Sequence, residues 1–282
     1  MILSVSRRCD IPRFRFDWFL ECLDRGFVDV KNPFNAAQVR RVPLLPAGIS
    51  SPADVFAFWT RDPGPILSYA DELERRGFLF YVMVTVTGYP AVLEPKVPPA
   101  GAICGAMREL AGKIGARRVI WRYDPVFLSS VTGEGFHRAN FAALARTLKG
   151  SVRRVIISLY DEYAGARRRI EALEKTGGLR VLPVTGAEGR LLPQVRELLG
   201  DMARIAGESG MEIQSCAEAE DLSALGIAPG ACIDGELIGE LWGIEAEGRD
   251  KNQRPHCRCA PSVDIGSYGT CAAGCVYCYA RR

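Results

Sequence analysis

The chain has 282 residues, with 36 Lys and Arg against 33 Asp and Glu, a formal charge of +3. That balance excludes an acidic solvating protein and a histone-like basic one. With 48% hydrophobic and 24% charged residues, the composition is that of an ordinary globular protein, and the length suits one large domain or two small ones.

In chain order, the first expected strand is Ile2–Ser6, followed by an irregular, Gly- and Pro-bearing stretch over Asn32–Pro52 that reads as a loop. A second strand is expected at Val55–Trp59. Ile66, Tyr69, Ala70 and Leu73 then line one face of a helix that Gly77 can end. The third strand, Leu79–Thr87, contains the near-continuous apolar run Phe80-Tyr-Val-Met-Val84 that marks a sheet buried on both faces. A loop over Gly88–Gly101 leads to a strand at Val119–Arg122, and Phe141, Leu144 and Leu148 mark a helix before Gly150. Val155–Leu159 is the next strand, Thr176–Leu192 a loop, and Leu198, Met202 and Ile205 one face of a helix before the strand Glu212–Ser215. From Ile233 the rhythm fades into one helix and a cysteine-bearing tail.

Short β-branched or aromatic runs alternating with helices predict an α/β fold with parallel strands. No glycine-rich phosphate loop follows the first strand, and reactive groups recur at strand C-termini: Arg7, Arg8, Cys9 and Asp10; Thr60, Arg61 and Asp62; Arg122 and Asp124; Tyr160 and Asp161; Cys216 and Glu218. Such residues converge on the mouth of a (β/α) barrel, complete or partial, expected over residues 1–230. Residues 231–282 form the cysteine-rich segment that closes that mouth.

Ten cysteines are many for a reducing compartment, and seven fall within residues 216–282. A cytoplasmic location is expected, because no run reaches the roughly 18 consecutive apolar residues of a membrane helix and the first residues lack a signal-peptide order. No membrane partner is expected either. A local excess of thiols in such a chain points to metal.

Cys271-Ala-Ala-Gly-Cys275-Val-Tyr-Cys278-Tyr279 is a Cys-x3-Cys-x2-Cys run followed by an aromatic residue. Three thiolates can hold three irons of a cubane and leave the fourth open to a substrate. The spacing resembles the hallmark of the radical S-adenosylmethionine (SAM) superfamily. That resemblance implies a [4Fe–4S] cluster on Cys271, Cys275 and Cys278 whose open iron chelates SAM, with Tyr277 or Tyr279 near the adenine. It also implies an external one-electron reductant and a 5′-deoxyadenosyl radical that abstracts hydrogen from a substrate. In that superfamily the motif follows the first strand, whereas here it lies near the end of the sequence. Ser262–Gly266 is a candidate strand that would deliver it to the mouth in permuted order.

The whole chain is also similar to the DUF1848 family, on Ser6-Arg-Arg-Cys-Asp-Ile-Pro12, Asn32-Pro-Phe-Asn35, Phe58-Trp-Thr-Arg-Asp-Pro63, Trp121-Arg-Tyr-Asp-Pro125, Cys216-Ala-Glu218, Lys251-Asn-Gln-Arg254 and the cysteine tail. The stretch Phe58–Pro63 resembles the spore photoproduct lyase-like branch of radical SAM proteins.

Cys216, Cys232, Cys257 and Cys259 supply four more thiolates, enough for an auxiliary [4Fe–4S] cluster, the favoured reading, or a structural zinc. Cys9 is either a replacement for one of the four or a substrate-facing thiol. Arg7, Arg8, Arg61 and Arg122 together would favour an anionic ligand, the SAM carboxylate or an acidic group on the unknown small or macromolecular substrate. Arg122 and Asp124 are read as substrate-binding or as a structural ion pair, and Glu218 and Glu236 as acceptors for the SAM amino group. Other readings stay open: an iron–sulfur redox protein that never cleaves SAM, a cluster whose open iron binds substrate directly, and a zinc-stabilised nucleic-acid-binding protein.

Overall fold

The computed structural model describes residues 1–46 and 55–281. In chain order the elements are β1 (Ile2–Val5), α1 (Ile11–Phe14), α2 (Phe16–Arg25), β2 (Phe27–Asn32), β3 (Asn35–Pro43), β4 (Val55–Thr60), α3 (Gly64–Arg75), β5 (Leu79–Thr85), α4 (Ala100–Ile114) and β6 (Val119–Val126). They continue with α5 (Glu134–Leu148), β7 (Arg154–Leu159), α6 (Ala164–Lys175), α7 (Pro193–Glu208), β8 (Glu212–Cys216), β9 (Ala228–Gly230), α8 (Gly235–Trp242) and β10 (Val263–Asp264).

Eight strands form one sheet in the order β10-β1-β4-β5-β6-β7-β8-β9, and every neighbouring pair is parallel. The α/β class and all six expected strands are present. The sheet is open, with β10 and β9 as its edges, so no closed barrel forms among the described residues. The edge strand β10 pairs with β1 through Leu3↔Val263 and Ser4↔Asp264, so Ser262–Gly266 does contain a strand.

Alternate residues serve two different covers. Leu3, Phe56, Phe58, Phe80, Val82, Trp121 and Ile157 face the helical layer, meeting Ile66, Met107, Phe141, Leu198 and Met202. Ile2, Ala57, Trp59, Tyr81, Met83, Ile120 and Ile156 face the other way, onto Ile233, Leu237 and Ile238 and the cysteine-bearing stretch around Cys257 and Cys259. Both faces are dry, which is why the strands read as continuous apolar runs rather than as alternation. Residues beyond 230 therefore share a core with the strands before them.

One expectation needs correction. Most of the stretch expected to be a loop over Asn32–Pro52 belongs to a two-stranded antiparallel ribbon, β2–β3, that begins at Phe27; residues 47–52 lie outside those described. In β2 Val28 and Val30 alternate with exposed Asp29 and Lys31, but only over four residues, and β3 exposes Val39, Arg40 and Arg41 in succession, so the period by which a half-buried strand is recognised is too short to read.

Candidate functional site

The tail reaches the strand C-termini through Asp264. Its carboxylate accepts hydrogen bonds from Ser4 Oγ and Ser6 Oγ, both at 2.7 Å, from the Arg7 N–H at 2.8 Å and from the Gly266 N–H at 2.9 Å. The Ile265 N–H donates to Ser4 O at 3.1 Å. The turn after β10 also needs glycine, because a Cβ on Gly266 would lie 1.9 Å from Ser6 Oγ and 2.9 Å from Cys9 Sγ.

Beyond this anchor the three-cysteine loop lies over the ends of β5, β6 and β7. The Val276 N–H donates to Leu93 O at 3.0 Å, and the Tyr277 ring stacks on Phe127 at 5.8 Å and meets Tyr89 edge-on at 6.0 Å. From α6, Arg169 donates to Val276 O at 2.9 Å and to Cys278 O. Burial raises the Cys271 thiol pKa, against the backbone N–H groups of Asp10 and Ala273, which favour the thiolate. Burial pushes the Cys275 thiol up to about 11, against the pull of the Arg61 guanidinium.

Among the described residues no three His, Cys, Asp or Glu side chains already surround a common metal position. The loop does bring three thiols close in sequence beside the buried Arg61 guanidinium, a donor set whose thiolates could ligate a metal.

Below this loop is a buried polar network. Arg61 Nη1 pairs with Glu94 Oε1 at 2.7 Å and Arg61 Nη2 donates to the Tyr277 hydroxyl at 2.6 Å. Tyr277 in turn donates to Glu94, as does Thr87 Oγ1 at 2.6 Å. The Arg61 and Glu94 side chains are only 12% and 2% exposed, so the ion pair and its hydroxyl partners satisfy one another out of water. Glu94 is missing from the sequence reading because it lies in an irregular loop with no motif around it. Asp10 ties in the first strand's end, accepting from Thr60 Oγ1 at 2.7 Å and from the Arg61 N–H at 2.9 Å, and burial raises its pKa to about 6.

On the sheet's other face, Arg122 pairs with Asp124, which also accepts from Ser158 Oγ. Arg7 donates to Ser262 Oγ at 2.8 Å and approaches Asp250 at 3.6 Å. Among the described residues, both arginines keep a buried Nε with no hydrogen-bond acceptor. Tyr279, 47% exposed, packs against Tyr163 at 5.3 Å, and its hydroxyl donates to Arg7 O at 2.6 Å. Tyr277, at 6%, is locked inward. At the end of β8, Glu218 accepts from the Leu159 N–H at 2.9 Å, and burial raises its pKa to about 7.

Cys216, Cys232, Cys257 and Cys259 lie in one buried cluster against the sheet's second face. Cys216 and Cys232 have their sulfurs 3.4 Å apart, and the Cys259 Sγ accepts from the Ile233 N–H at 3.3 Å. Two predicted residues are placed elsewhere. Cys9, 7% exposed, lies against Gly266 and lines a cavity of about 250 Å³ shared with Trp18, Asp29 and Lys31, on the ribbon's side. Glu236 is exposed on α8. That helix packs at the opposite end of the strands, where Asp234 pairs with Arg154 at the start of β7, Glu240 pairs with Arg117, and Trp242 lies 5.7 Å from Arg118.

Comparison with known proteins returns one family profile, described as a domain of unknown function (DUF1848), matching residues 2–280. No curated protein matches. Among solved structures, the tandem catalytic modules of the pneumococcal exo-β-D-N-acetylglucosaminidase StrH align at 11% identity and TM-score 0.24, covering 55% of this chain and 33% of that one. N-isopropylammelide isopropylaminohydrolase from Burkholderia multivorans aligns at 13% identity and TM-score 0.26, covering 62% of this chain and 44% of that one. The chain thus spans less than half the length of either, and at these scores neither carries an argument about fold or function.

Proposed function

We propose that this chain, which belongs to the DUF1848 family, is a radical SAM enzyme built on a partial (β/α) barrel, with Cys271, Cys275 and Cys278 as the ligands of its [4Fe–4S] cluster. The observation that carries the reading is the parallel pairing of β10 with β1. It gives the three-cysteine loop a strand of its own at the sheet edge and sets it among strand C-termini, where parallel α/β sheets gather their reactive groups. When bound, such a cluster supplies the electron that cleaves SAM to a 5′-deoxyadenosyl radical, with an external reductant as the source.

The chain's own residues do the rest. Arg61, Glu94 and Tyr277 fix the loop from beneath, so that the thiols stay in register. Tyr279 and Tyr163 present a half-exposed aromatic pair beside Cys278, a surface on which an adenine can stack. The Arg122 and Arg7 Nε donors, buried and without acceptors, favour a carboxylate or another anionic group of SAM or substrate. Glu218 is an acidic side chain at this end that can accept from an amino group, in place of the distant Glu236. The surrounding apolar walls, Phe127, Tyr89 and Leu93, exclude water from a reactive radical.

The test is anaerobic incubation of the iron-reconstituted chain with SAM and dithionite. Release of 5′-deoxyadenosine, abolished by Cys275→Ala, is the expected result. No release from a chain carrying a full complement of iron would remove the reading.

A further inference from the structure

The second set of thiols has a geometry of its own. Cys216 ends β8, Cys232 precedes α8, and Cys257 and Cys259 follow it. Cys216 and Cys232 have their sulfurs 3.4 Å apart, and Cys257 and Cys259 lie in the same buried cluster with them. The Ile233 N–H also donates to Cys259 Sγ at 3.3 Å. All four are buried, at 8%, 4%, 6% and 3% exposure. Tyr81, in the middle of β5, donates to Cys232 O at 2.7 Å, and the Arg254 guanidinium donates to Cys216 O at 3.4 Å.

Thiolates sharing one tetrahedral zinc, with Zn–S about 2.3 Å, stand about 3.8 Å from one another. In a cubane each thiolate takes a different iron, and the four sulfurs are spread around the outside of the cluster, much farther apart. A pair of thiols already 3.4 Å apart must open by only a few tenths of an ångström to share a single ion, whereas it must come well apart to sit on two irons of a cubane.

From this compactness we infer that Cys216, Cys232, Cys257 and Cys259 form a closed, mononuclear zinc site. The ion would cross-link the end of β8 to the segment that covers the sheet's second face. With four protein ligands it has no open position, so its role is structural. The inference does not rest on the radical SAM reading, since the two sets share no cysteine.

The full chain, expressed with both iron and zinc available and purified anaerobically, provides the test. Metal analysis is expected to give one zinc per chain. The triple variant Cys271→Ala, Cys275→Ala, Cys278→Ala should lose the iron and keep the zinc, and the double variant Cys216→Ser, Cys257→Ser should lose the zinc and keep the iron. If that double variant does not fold, zinc-edge X-ray absorption on the unaltered chain decides alone: four sulfurs at about 2.3 Å are expected. Zinc bound through nitrogen or oxygen, iron in place of zinc at these thiols, or a Cys216–Cys232 disulfide in the isolated protein would each overturn the assignment. Failure of SAM cleavage with zinc intact would strike only the enzymatic reading.

Discussion

His137 is fully buried on α5, with Nδ1 2.9 Å from the Tyr123 hydroxyl and Nε2 3.2 Å from Phe127 O. A carbonyl can only accept, so Nε2 carries the proton and Nδ1 accepts from Tyr123. Burial lowers its pKa from 6.5 to about 4, so the folded protein keeps the ring neutral where the unfolded chain would protonate it. The stability this contributes is present above pH 6.5 and is lost as pH falls toward 4; the shift corresponds to about 3 kcal/mol. Urea unfolding of the native chain against His137→Gln should show the native protein losing the advantage over that window and the variant showing a flatter slope. The Arg61–Glu94 pair gives a second residue-scale expectation. Glu94→Ala leaves a guanidinium buried without its carboxylate and should cost about 3–5 kcal/mol, read as a lower urea midpoint. Arg61 was legible in the sequence because it ends an apolar strand, and Glu94 was not, because its role depends on a loop folding back seven residues after Thr87.

Strand β10 is only two residues long, yet Asp264 collects four hydrogen bonds from the end of β1 and its own turn. Gly266→Ala places a methyl group where Ser6 Oγ stands and must push this edge away from β1. Limited proteolysis should then cut the tail of the variant between residues 260 and 282 at least tenfold faster than that of the native chain, a ratio equivalent to about 1.4 kcal/mol of lost docking; equal rates would show that the edge yields without cost. Strands buried on both faces announced themselves as apolar runs, and Ser262–Gly266 could be suspected only because the cysteine loop needed a support. The β2–β3 ribbon stayed hidden for the opposite reason: its alternation is short, Val28 and Val30 against exposed Asp29 and Lys31, while β3 exposes Val39 beside Arg40 and Arg41.

At the scale of the whole molecule, the chain begins with β1 and returns after more than 250 residues to add β10 beside it. Helices cover one face of the open sheet and the segment after residue 230 covers the other, so the tail is part of the core rather than an appendage. If zinc joins these layers, a zinc chelator should lower the unfolding temperature of the iron-loaded chain while excess zinc restores it, because an ion that binds only the folded state stabilises it by mass action. The three-cysteine loop was legible from its spacing, whereas the set of Cys216, Cys232, Cys257 and Cys259, spread over more than 40 residues, was only what remained after it, with Cys9 able to replace any member. Which end of the sheet Glu236 occupies was not, since a helix following the last long strand can pack toward either end. Electron paramagnetic resonance of the anaerobically purified, dithionite-reduced chain, recorded with and without SAM, tests the enzymatic assignment most directly. A reduced [4Fe–4S] signal that shifts when SAM is added, and that disappears in Cys271→Ala, is the expected result; an iron signal indifferent to SAM would contradict it.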